Sequence, residues 1–105
     1  MANFNQLVPA EEERLFCLVE EMGEVLQIVG KIGRHGYEST HPAGGPRNRE
    51  LLEREMGDLL YWMQTMGQKY DIDWTRVEEA ATAKAVNVRP YLHPQGLGRL
   101  KGGRE

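Results

Sequence analysis

The sequence predicts an all-α protein: an antiparallel helical hairpin plus a third helix, assembling into four-helix bundles by oligomerisation. Three observations carry that expectation. Apolar residues recur with a helical period through two long segments, from Leu15 to Ile32 and from Leu52 to Tyr70. Between them lies a Gly/Pro-rich stretch of roughly a dozen residues, longer than a minimal turn and able to let the helices fold back on each other. One acidic phrase occurs in each segment, Glu21-Met22-Gly23-Glu24 and then Glu55-Met56-Gly57-Asp58.

A chain of 105 residues with no internal compositional break is expected to form one domain over residues 1–92, with 93–105 as a flexible tail. Its core would be thin. Helices apolar enough to pack on more than one side point to a homodimer or homotetramer.

Met1 to Val8 shows no period and reads as a lead-in arm. Pro9 suits a first helical position, and Glu11, Glu12 and Glu13 favour the positive end of the helix dipole. The first helix is expected from about Ala10 to Ile32. Its apolar arc, at about 100° per residue, runs through Leu15, Leu18, Val19, Met22, Val25, Leu26, Val29 and Ile32. Gly33, Gly36, Pro42, Gly44, Gly45 and Pro46 then make the loop, and no Gly-Lys-Ser/Thr follows Gly44-Gly45, which excludes a P-loop.

Asn48 is expected to cap a second helix that ends near Lys69. Its arc is Leu52, Met56, Leu59, Met63, Met66 and Tyr70. Asp73 and the pair Thr75/Glu78 compete to start the third helix, which continues to about Val88 and stops ahead of Pro90. His93 to Glu105 holds four glycines and one proline, and its Arg99, Lys101 and Arg104 read as solvated tail residues.

Thirteen Lys and Arg against sixteen Asp and Glu give a net charge of −3, so no global field favours nucleic acid or an anionic membrane. No apolar run reaches membrane length and no signal peptide is recognisable, which makes the expected compartment the cytoplasm. The lone Cys17 excludes an internal disulfide and reads as core filler.

Helical phase decides what the acids are for. Residues three apart share a face, so each phrase is a bidentate acidic edge. Glu21 and Glu24 lie on the border of the first apolar arc, Glu55 falls inside the second, and Asp58 sits beside Leu51 and Trp62. Glu20 projects further outward. Counted from the loop, Glu24 comes opposite Glu55 and Glu21 opposite Asp58, so four carboxylates converge. Acids on a core-facing edge are costly unless paired or bound to a cation. Oxygen-only ligation selects a hard cation, Mg²⁺ or alternatively Mn²⁺, and without His or Cys at ligand spacing zinc is disfavoured. Absence of Glu-x-x-His pairs argues likewise against a di-iron bundle. Gly23 and Gly57, one inside each pair, are expected to permit a close backbone approach.

Lys31 lies about 10 Å beyond Glu24 along the helix, with Arg34 and His35 following, a triphosphate's length from the acids. The plainer role for these basic residues is to complement the helix C-terminal dipole. Trp62, one turn past Asp58, could pack against a base or simply be core.

Glu20-Glu21-Met22-Gly23-Glu24 followed by Glu55-Met56-Gly57-Asp58 resembles the EExxE…ExxD signature of MazG-like proteins. These belong to the all-α nucleoside triphosphate pyrophosphohydrolase superfamily, with dCTPases, dimeric dUTPases and phosphoribosyl-ATP pyrophosphohydrolase. The stretch with His41-Pro42 and Asn48-Arg49-Glu50-Leu51-Leu52-Glu53 looks like short bacterial and bacteriophage versions, and the resemblance covers roughly Leu15 to Arg89. It implies metal-dependent hydrolysis of a (d)NTP to the monophosphate and pyrophosphate, in nucleotide-pool control or house-cleaning. It further implies Glu21, Glu24, Glu55 and Asp58 as Mg²⁺ ligands, with Glu20 either supporting those ligands from behind or acting as a water-orienting base beside Glu21. Lys84, Asn87 and Arg89 match the family's basic and amide residues near the end of the third helix. Two alternatives stand beside this: a non-catalytic helical module that binds a nucleotide or partner, and a structural bundle whose acids pair with Arg and Lys.

Overall fold

The structure, a computed structural model, describes residues 4–92. The flexible-tail expectation for 93–105 falls outside the described residues. The described chain is all-helical: α1 spans Pro9–His35, α2 spans Asn48–Gln68, α3 spans Trp74–Asn87, and a 3₁₀ turn follows at Arg89–Tyr91. No helix among the described residues is long and apolar enough to cross a membrane.

The chain divides into two compact units, Met1–Ile72 and a second beginning at Asp73. The first unit is the hairpin. Pro9 opens α1, and the Glu11 carboxylate reaches back to accept the Val8 N–H at 2.8 Å, satisfying one of the donors a helix start leaves open. The helix runs three residues past the expected Ile32. Gly33 continues it, since a glycine inside a helix costs only about 1 kcal/mol. The stop is Gly36, whose φ of 88° an L side chain rarely adopts, and its N–H closes on Ile32 O at 2.7 Å.

The connecting loop is held at both margins. Glu38 accepts from Arg49 Nε at 2.8 Å and from Arg47 Nη1 at 3.0 Å, while the Arg49 guanidinium lies 4.5 Å from the Tyr37 ring centroid. The N–H groups of Asn48 and Arg49 donate to Ser39 O and Tyr37 O, both at 2.9 Å. Asn48 is not the expected N-cap. It is the first helical residue, and Arg47 takes the cap position with Glu50 accepting its N–H at 2.9 Å. The Asn48 side chain is buried and donates instead to Gly36 O at 3.1 Å, tying the end of α1 to the start of α2.

At the other end, Arg14 makes a two-pronged pair with Asp71, Nε to Oδ2 at 2.6 Å and Nη2 to Oδ1 at 2.8 Å. Asp71 follows a helix stop in which its N–H reaches Met66 O at 2.9 Å and the Tyr70 N–H reaches Gly67 O at 3.1 Å. That pairing puts Tyr70 in the left-handed region at φ 63°, where glycine is usual. With α1's start joined to α2's end and α1's end to α2's start, the helices are antiparallel.

Their shared seam follows a 4-3-4-3 spacing. Arg14, Leu18, Glu21, Val25, Ile28 and Ile32 on α1 are half-buried or buried, as are Asn48, Leu52, Glu55, Leu59, Trp62 and Met66 on α2. Ile28 and Met66 are the buried hydrophobic residues among those described. The apolar arc of α1 is thus two seams rather than one. The second, Leu15, Val19, Met22, Leu26 and Val29, repeats the spacing one residue on but faces outward, with Val19 63 % and Leu26 71 % exposed.

In the second unit, Asp73 wins the competition to cap α3, its Oδ1 accepting the Thr75 N–H at 3.0 Å. The helix ends at Asn87, and Val88 bonds back to Lys84 O at 3.1 Å before the turn containing Pro90.

Candidate metal centre

Glu21 and Glu55 occupy seam positions where a hairpin would ordinarily place leucine. Glu24 on α1 and Asp58 on α2 flank them one turn on. One carboxylate oxygen from each of the four can be chosen so that all lie within 4.8 Å of one another, so the convergence expected from helical phase is present. Among the described residues no Arg or Lys pairs with any of these acids: Arg14 is held by Asp71, Arg47 by Glu38 and Glu50, Arg49 by Glu38 and Arg76 by Asp73. That removes the support for a structural bundle with charge-paired acids.

The electrostatics register the crowding. Glu55 is pushed up to about 7, first by the hydrogen bond its protonated form makes with Glu24, then by burial, and then by the charges of Glu24, Asp58 and Glu21. Glu21 is also raised, chiefly by burial and then by Glu24, Asp58 and Glu20. Each has one oxygen, Glu21 Oε2 and Glu55 Oε2, buried with no hydrogen-bond partner. Orphaned buried oxygens are costly. A divalent cation at the convergence would satisfy them and offset the repulsion. The donor set is all oxygen and anionic, the chemistry that suits a hard cation. On these grounds the residues fit the metal.

Glu20 stands outside the quartet. It is exposed, next to Glu21, and borders a shallow surface groove with Phe16 and Cys17. The half-buried Cys17 thiol is raised by burial and by the neighbouring Glu13, Glu20 and Glu21. Trp62 is half-buried one turn past Asp58, edge-on to Tyr61 with ring centroids 5.1 Å apart. Gly23 and Gly57 do not serve the close approach expected of them within the chain, since an added Cβ at either would meet nothing within 4 Å.

Lys31 and Arg34 are exposed at the end of α1 and line a cavity of about 370 Å³ under the connecting loop. No sequence pattern signals this cavity, because its walls come from loop residues whose course no periodicity encodes. Lys84 and Asn87 on α3, and Arg89 in the following turn, belong to the second unit and are exposed there.

A family model described as the MazG nucleotide pyrophosphohydrolase domain matches residues 10–93. Neither the curated proteins nor the solved structures contain a match to the chain.

Proposed function

The chain belongs to the MazG nucleotide pyrophosphohydrolase family, and from that premise we propose that it is a Mg²⁺-dependent hydrolase converting a (d)NTP to the (d)NMP and pyrophosphate. The observation that carries the reading is the quartet of carboxylates within 4.8 Å, unpaired by any cationic side chain among the described residues. Because the family match runs through both units, both are read as parts of one functional domain.

Glu21, Glu24, Glu55 and Asp58 would hold the metal. When bound, Mg²⁺ neutralises phosphate oxygens and lowers the pKa of a coordinated water, with Mn²⁺ able to substitute. The chain's own groups do the rest. Glu20, exposed beside Glu21, orients the attacking water and accepts its proton as attack proceeds at the α phosphorus. Lys31 and Arg34 contact the substrate at the loop end of the hairpin, Trp62 packs against it or against the core, and Lys84, Asn87 and Arg89 supply phosphate contacts as the family likeness implies. No side-chain nucleophile is needed.

The protein is read as a homodimer or homotetramer in which a second copy covers the outward seam. Leu15, Val19, Met22, Leu26 and Val29 repeat the spacing of the seam already buried, which supports the same kind of packing against another hairpin. Such an enzyme acts in the cytoplasm on the nucleotide pool.

The test is incubation of canonical and modified NTPs and dNTPs with Mg²⁺, assayed for pyrophosphate and for orthophosphate. Pyrophosphate release that disappears in the Glu55→Ala/Asp58→Ala variant supports the reading. Orthophosphate alone, or activity surviving both substitutions, rejects it.

A further inference from the structure

The cavity at the closed end of the hairpin has a composition unlike the rest of the surface. Pro42, Pro46 and Leu51 give it apolar walls, Lys31 and Arg34 stand at its α1 side, and no carboxylate is among its lining residues. Neither cation has an ion-pair partner among the described residues, whereas the adjoining Arg47 and Arg49 are both taken by acids. His41 adds a donor, since its Nδ1 accepts the Ala43 N–H at 3.0 Å and leaves the ring proton on Nε2. The charged side chains of the lining offer hydrogen-bond donors only, beside the Ser39 and Thr40 hydroxyls and the Asn48 amide, which can also accept.

Phosphate is a poor tenant for this space. Several loop amides that could cradle it are already used, those of Asn48 and Arg49 by Ser39 O and Tyr37 O, and that of Gly44 by His41 O at 2.8 Å. The apolar walls of Pro42, Pro46 and Leu51 suit the face of a ring better than a fully hydrated anion. A volume of about 370 Å³ suits a planar ring instead.

The placement suits a nucleoside as well. Leu51 precedes Glu55 by one turn, about 6 Å, and Lys31 follows Glu24 by about 10 Å along α1. A sugar bridges that span between an α-phosphate at the acids and a base under the loop. Side chains on a helix lean towards its N-terminus, so Lys31 and Arg34 reach back towards the quartet. Arg34 does so visibly, with Nη1 3.7 Å from where a Cβ on Gly30 would lie.

We infer that this cavity receives the base of the substrate and selects a 6-oxopurine, with Lys31 and Arg34 donating to its O6/N7 edge. The inference rests on the hydrolase reading and supplies the base preference that reading lacks. Ammonium and guanidinium groups only donate. They match the paired acceptors of a guanine-type or hypoxanthine-type edge, and they meet adenine's N6 amino group donor to donor. Discrimination of about tenfold or more is expected from one such edge contact.

The experiment titrates inosine and adenosine, which share N7 and the ribose and differ at the six position and in the N1 proton, into the full-length protein without metal. Binding is followed through the His35 and His41 imidazole signals and the Ser39 and Thr40 amides. Inosine is expected to shift them with about tenfold higher affinity, and the Lys31→Gln/Arg34→Gln variant, with melting unchanged, is expected to lose the preference. Equal affinities, a preference that survives in the variant, or displacement of inosine by inorganic tripolyphosphate from the same signals would overturn the assignment. Inosine selectivity in a protein that hydrolyses no triphosphate would uphold the pocket and reject the hydrolase. Hydrolysis with equal kcat/KM for ITP and ATP would do the reverse.

Discussion

Loading a divalent cation into the quartet must expel a proton. Glu55 sits at about 7 without metal, so close to half the molecules carry a proton there at pH 7. A bound cation requires the carboxylate, so binding should release a larger fraction of a proton at pH 6 than at pH 7, and little at pH 8. Below pH 7 the apparent affinity should fall about tenfold per pH unit, and the raised Glu21 should steepen the fall on the acid side. Calorimetric titration of Mg²⁺ or Mn²⁺ in buffers of different ionisation enthalpy measures the proton count directly. Glu55→Gln should abolish the release near pH 7 and weaken binding. Release of no proton at pH 6, or an affinity flat from pH 6 to 8, would show that Glu55 is not protonated in the metal-free quartet. The same shift has a sign in the metal-free fold. A raised carboxyl stabilises the folded state fully below its ordinary value of 4.5, and that stabilisation is lost as pH rises through about 7. Denaturant midpoints without metal should therefore be higher at pH 5 than at pH 8, and saturating Mg²⁺ should reverse the difference.

Truncating Ile28 or Met66, the buried apolar residues among those described, to Ala should cost about 2–4 kcal/mol in urea unfolding, measured at one protein concentration. Tyr70→Gly should stabilise the hairpin by about 1 kcal/mol in the same assay, because Tyr70 is 91 % exposed and held at φ 63°. Arg14 holds the Asp71 carboxyl below its usual range. That pair stabilises above the ordinary Asp value of 3.8 and is lost as pH falls through the lower folded value, so Arg14→Ala should flatten the low-pH limb of the unfolding profile. Sedimentation velocity checks the proposed pairing of outward seams: the wild type should sediment as a dimer or tetramer and Leu26→Glu as a monomer, with the far-ultraviolet helix signal unchanged.

The helices and the quartet are legible in the sequence for a single physical reason: both are set by helical phase. Glu21, Glu24, Glu55 and Asp58 meet because their spacing fixes a face and the loop fixes the register. Boundaries are less legible. Gly33 makes Ile32 look like the end of α1, yet a helix tolerates such a glycine and stops at Gly36, where a positive φ is required. Asn48 reads as an N-cap by residue type, but its amide serves Gly36 O, a tertiary bond that local pattern does not encode. The apolar arc of α1 reads as one stripe because the seams Leu18/Val25/Ile28 and Leu15/Val19/Met22 lie one residue apart, and only packing separates them. The cavity beside Lys31 and Arg34 is invisible to sequence patterns, since Pro42, Pro46 and Leu51 are brought together by a loop held through Glu38 and its two arginines.

If carboxylates from both helices hold one divalent cation, Mn²⁺ titration followed by electron paramagnetic resonance should register the loss of a ligand from either helix. Glu24→Gln on α1 and Asp58→Asn on α2 should each weaken Mn²⁺ binding by about tenfold or more, with the helical signal intact. Unchanged Mn²⁺ affinity when either helix loses its ligand would contradict a shared site.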